Sequence, residues 1–120
     1  MDLGDFLNDA TVHFLWDTMG LDGASITRAV DGTIRVYKVD NPGETTVGIT
    51  DTEDFDGLTG VHACTIVTTD AFYTKGSSYS VVINATTIDG KVIQHTLARF
   101  SIEKNFVAVL GDHQLIIIAG

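Results

Sequence analysis

From Ala10 to Thr18 the chain alternates, with Val12, Phe14 and Trp16 on one side and Thr11, His13, Leu15 and Asp17 on the other. A period of two over this length predicts a strand with one buried face. Trp16 is the only tryptophan and the largest candidate anchor for a core. Residues 33–39 alternate too, with Ile34 and Val36 set against Arg35 and Tyr37. Further strands are predicted over residues 25–30, 45–50, 61–69 and 79–87, and the longest over 91–103. Asp31-Gly32 and Asp89-Gly90 are two-residue hairpin signals, and Asp40-Asn-Pro-Gly43 holds the only proline in a predicted turn. Residues 51–60 form an acidic turn that runs straight into a strand. Residues 70–78 read as a loop carrying Phe72, Tyr73 and Lys75.

The two ends differ from this middle. Residues 1–9 have no clear period and read as an arm, or as a short helical turn capped by Asp5 or Asn8, with Phe6 and Leu7 free to dock. Residues 105–110 and 114–120 read as one more hairpin, almost wholly apolar. Leu115-Ile-Ile-Ile118 does not alternate, so both of its faces want burial. Such a run lies in the middle of a sandwich or is covered by another chain, because an exposed apolar edge strand is sticky. If another chain covers it, Phe106, Val107, Val109, Leu115, Ile116, Ile117 and Ile118 are the expected assembly interface, as an intersubunit contact or an exchanged strand.

Strands every 8 to 12 residues, joined by Asx-Gly turns, predict an all-β protein, an antiparallel β-sandwich of about seven to nine short strands. The expected organisation is an arm (1–9), a sandwich domain (10–103) and an apolar hairpin (104–120). A chain of 120 residues with 44% hydrophobic and 19% charged residues is long enough for one well-filled core. It contains no apolar run long enough for a membrane-spanning helix. The acidic start lacks the basic region of a signal peptide, so synthesis in a cytoplasm without secretion is expected. The formal net charge is −9, and all of it comes from residues 1–60, where twelve acids meet three bases; residues 61–120 balance four against four. A chain so charged repels nucleic acid and anionic lipid.

Candidate chemistry is sparse. Thr52-x-Asp54-x-Asp56-Gly57 superficially matches a calcium loop, but the first position is Thr52 and the twelfth is Ala63, where Asp and Glu are needed. A looser calcium site would use Asp51, Glu53, Asp54 and Asp56; the alternative is a solvated turn whose carboxylates bond backbone amides. The four histidines, His13, His62, His95 and His113, have no ligand spacing. Cys64 is the only cysteine and reads as a small buried hydrophobe. Tyr37, Phe72, Tyr73 and Tyr79 are candidates for a sugar-stacking face, or else ordinary core and rim aromatics. No nucleophile elbow or shielded pair of carboxylates is evident, so neither an enzyme nor a cofactor is expected.

Five blocks carry a family resemblance: residues 32–38 (GTIRVYK), 48–62 (GITDTEDFDGLTGVH), 71–83 (AFYTKGSSYSVVI), 87–93 (TIDGKVI) and 98–103 (ARFSIE). Together they resemble an immunoglobulin-like β-sandwich family found among structural proteins of tailed bacteriophages and related prophages. The resemblance covers roughly residues 10–103, leaves 104–120 outside, and supplies no catalytic or binding residue. It implies a virion protein made in the host bacterial cytoplasm; the apolar hairpin adds the expectation of protein–protein contacts with capsid or tail subunits and of a homo-oligomer. Capsid decoration (cement) is the expected role. A neck, tail, baseplate or fibre component is the alternative within that class, and a carbohydrate-binding module for host attachment is the alternative outside it.

Overall fold

The computed structural model describes the backbone of residues 1–40, 43–103, 105–110 and 114–119, and the side chains of residues 1–40 and 43–103. Ten strands follow in order: β1 (Asp2–Phe6), β2 (Thr11–Asp17), β3 (Thr33–Lys38), β4 (Glu44–Thr45), β5 (Ile49–Thr52), β6 (Val61–Val67), β7 (Ser78–Ile88), β8 (Lys91–Ile102), β9 (Asn105–Leu110) and β10 (Gln114–Ala119). One sheet has the order β1-β8-β7-β3-β4, a second β2-β6-β5, and among the described residues β9 and β10 pair only with each other. The protein is all-β, with two main sheets.

The alternating positions meet as the pattern requires. Val12, Phe14 and Trp16 from β2, with Cys64 and Ile66 from β6, form one side of the core. Ile34, Val36, Tyr79, Val81, Ile83, Leu97, Ala98, Phe100 and Ile102 form the other. The β7–β8 hairpin closes through Asp89-Gly90, and both residues take positive φ, as a type I′ turn demands. Two irregularities in this pair re-aim side chains. Register shifts between Val81 and Val82, which lets the adjacent Leu97 and Ala98 both face inward. It shifts back between Ile83 and Thr86, around Ala85 at φ 60°.

Several local expectations are corrected. Residues 2–6 are a strand, not an arm or a helical turn, and β1 lies parallel to β8, so the sandwich is not purely antiparallel. An irregularity between Asp2 and Asp5 lets Leu3 and Phe6 both pack on the core, and the Phe6 ring meets Phe100 edge-on at 6.0 Å. Residues 25–30 are not a strand, and Asp31-Gly32 is not a hairpin turn: Val30 and then Thr33 both run antiparallel to β7 in one register, opposite Thr87 and Asn84. Gly32 occupies the step between them at φ +73°, where a Cβ would lie 2.6 Å from the Asn84 carbonyl oxygen. Residues 45–50 divide into β4 and β5, which belong to different sheets. The Asp40–Gly43 turn falls on Asn41 and Pro42, which lie outside the described residues, as does His113.

Candidate functional site

At one end of the sandwich the acidic turn, the loop before β3 and the end of β2 converge on Arg28. Its guanidinium has no exposed surface and donates from Nη2 to Asp51 Oδ2 at 2.7 Å and from Nη1 to the Asp31 carbonyl at 2.8 Å. It also stacks over the Trp16 ring, 4.7 Å from the centroid. Three segments distant in sequence are thereby tied to one cation. Arg28 Nε and Asp51 Oδ1 remain without a partner among the described residues.

Beside Arg28 lies His62, fully buried on β6, with its ring 4.5 Å from Trp16. The Asp54 amide donates to His62 Nδ1 at 3.3 Å, so Nδ1 carries no proton. Nε2 then holds the hydrogen and donates to Thr18 Oγ1 at 2.9 Å, while that hydroxyl donates onward to the Ile26 carbonyl. The pair resembles a base beside a nucleophile, but every proton in it is committed to a structural acceptor. Burial, then the Arg28 charge, lowers the His62 pKa from its ordinary value, which suits this neutral tautomer.

The calcium candidates do not converge. Asp51 is paired with Arg28. Asp54 accepts from Thr27 Oγ1 at 2.6 Å and from the Gly60 amide at 2.8 Å, and these two bonds, the Thr27 hydroxyl first, lower its pKa. Glu53 lies beside Asp31: a side-chain hydrogen bond to the Asp31 carboxylate, then burial and the charge of that carboxylate, raise the Glu53 pKa to about 7. Asp56 is exposed in the short 3₁₀ turn Phe55–Gly57. Among the described residues, no three of His, Cys, Asp and Glu come together as metal ligands would. The turn closes at Gly60, φ +78°, where a Cβ would lie 2.8 Å from the Thr18 carbonyl oxygen.

No family model, curated protein or solved structure matches this chain. The aromatic candidates separate by burial. Tyr79 is completely enclosed and Tyr73 nearly so; Phe72 is half-buried, and only Tyr37 is exposed. The Tyr79 hydroxyl accepts from the Thr74 amide at 2.7 Å and reaches back to the Thr74 and Phe72 carbonyls. It thus holds loop 70–77 against the start of β7. Tyr73, Tyr79 and Phe100 stack in the core at 5.2 to 6.3 Å, so these rings form no open stacking face. Cys64 is buried, and burial followed by the Asp51 charge pushes its thiol up to about 12, which leaves it unreactive at neutral pH.

The expected assembly residues Phe106, Val107, Val109, Leu115, Ile116, Ile117 and Ile118 fall on β9 and β10, paired from Asn105↔Ala119 to Leu110↔Gln114. Their side chains lie outside the described residues. Sequence reading missed the edge of β2. Among the described residues no strand covers its free side, and a groove of about 480 Å³ runs beside it, lined by Met1, Leu15, Trp16, Asp17, Val61, His95 and Leu97. The only signal in the sequence was Leu15, an apolar residue on the polar side of an alternating strand.

Proposed function

We propose that this protein is a non-enzymatic structural protein of a tailed-phage virion: an immunoglobulin-like sandwich that acts as a capsid decoration protein through protein–protein contacts. The observation that carries this reading is the β9–β10 hairpin. Its strand residues are uncharged and mostly apolar, among the described residues its strands pair with neither main sheet, and an isolated two-stranded hairpin is marginal in water. Such an element is stable when a neighbour covers it. Two features support the immunoglobulin-like part. The strand order pairs a three-stranded sheet with a sheet built on β8-β7-β3, and the Tyr79 hydroxyl bonds back to the preceding loop as a tyrosine corner does. The sequence resemblance over residues 10–103 supports the virion setting.

The test is fractionation of particles made by a cell that carries the gene. The protein is expected with separated capsids. Recovery with tails instead moves it to the neck, tail, baseplate or fibre. Absence from both, with glycan binding that is lost in Tyr37→Ala, replaces the reading with a carbohydrate-binding module.

A further inference from the structure

We propose that the free edge of β2 is an acceptor for β10 of a second copy of this chain, so that assembly proceeds by strand addition. The inference rests on the assembly reading above and names what receives the hairpin.

The register isolates the acceptor. Thr18 donates its amide to Gly60 and Ala10 accepts from Thr68 at the two ends of the β2–β6 ladder. With side-by-side pairs alternating between bonded and non-bonded, the amides and carbonyls of Thr11, His13, Leu15 and Asp17 point away from β6. Among the described residues they form a row of unmet donors and acceptors along a seven-residue strand. The other uncovered edges of the two sheets are poorer acceptors. β1 is irregular and carries Asp2 and Asp5; β4 has two residues including Glu44; β5 has four including Asp51. On a chain of net charge −9, the edge of β2 carries one acid, Asp17, at its end.

The groove beside that edge supplies the second observation. Leu15 and Met1 are more than half exposed there, so an added strand would cover apolar surface as well as meet the row of amides and carbonyls. The occupant follows from chemistry in the same chain. β10 has six residues against the seven of β2, carries no charge, and runs apolar through Leu115-Ile-Ile-Ile118. A strand apolar on both faces belongs inside a sheet, yet among the described residues β10 pairs only with β9. Placed between β9 and the β2 edge of another copy, β10 becomes an interior strand and β2 loses its open side. A neutral strand also adds nothing of its own to the repulsion between two acidic copies.

The test is the solution mass of the full chain and three variants by light scattering, with circular dichroism to confirm folding. Leu15→Pro removes one outward amide and leaves the β2–β6 ladder intact; Leu15→Lys keeps the backbone and places a charge in the groove, which keeps the test decisive if the proline variant fails to fold. Ile117→Lys charges the donor strand. The full chain is expected at a multiple of 12.9 kDa, and the folded variants at 12.9 kDa. If Ile117→Lys dissociates but the folded Leu15 variants do not, β2 is not the acceptor, although the hairpin still assembles. If the Leu15 variants dissociate and Ile117→Lys does not, the edge binds something other than β10 and the proposal fails. A full chain that is a single copy overturns the proposal, while the virion reading still stands or falls on the particle fractionation.

Discussion

Arg28 has no exposed side-chain surface, and its nearest counter-charge, Asp51, is only 20% exposed. Removing one member of such a pair strands the other, so Arg28→Met is expected to cost about 3 kcal/mol in urea denaturation. Arg28→Met combined with Asp51→Leu is expected to recover much of that loss, because no buried charge is left alone. Two neighbours titrate with opposite sign. His62 has a lowered pKa, so the unfolded chain takes up its proton first, and stability falls as pH drops below about 6.5. His62→Gln removes that acid limb. Glu53 is raised to about 7 by Asp31, then burial, so the folded state holds the proton more tightly than the unfolded one. Its contribution is complete at low pH and is lost as pH rises from its ordinary 4.5 towards 7. Glu53→Gln is expected to raise the melting temperature at pH 8 and to change it little at pH 4. Melting curves of both variants between pH 4 and 8 separate the two effects.

At the scale of elements, one hydroxyl fixes where the loop before β7 lies. Tyr79→Phe leaves the Thr74 amide without its buried acceptor. It is expected to cost about 1–3 kcal/mol and to speed proteolysis within loop 70–77, measured by limited digestion. The strands themselves were legible. β2, β3, β6, β7 and β8 lie where the period of two put them, because each has one face on the core. β1 was not legible: Leu3 and Phe6 are three residues apart, and only the irregular step in its pairing with β8 turns both inward. Asp31-Gly32 misled for the converse reason. Its local chemistry suits a turn, but long-range pairing of residues 30–33 with β7 overrides it.

For the whole molecule, charge opposes association. Each copy carries −9, so bringing copies together costs repulsion that salt screens, with a Debye length of about 30 Å at 0.01 M and about 3 Å at 1 M. Self-association through strands that carry only one acid, Asp17, is therefore expected to strengthen as salt rises, seen as a lower dissociation constant by sedimentation. An interface held by ion pairs would weaken over the same range.

The sequence alone determined the all-β class, the buried faces of the main strands, the Asp89-Gly90 turn and the anomalous apolar end, because periodicity, turn chemistry and hydropathy are local properties. The tertiary structure alone decided that Arg28, Asp51, Trp16 and His62 form one buried cluster, that Tyr79 locks a loop, and that β2 keeps an open edge. Each of these depends on which strand lies beside which, and a strand's neighbours are set by the packing of the whole core, not by its own residues.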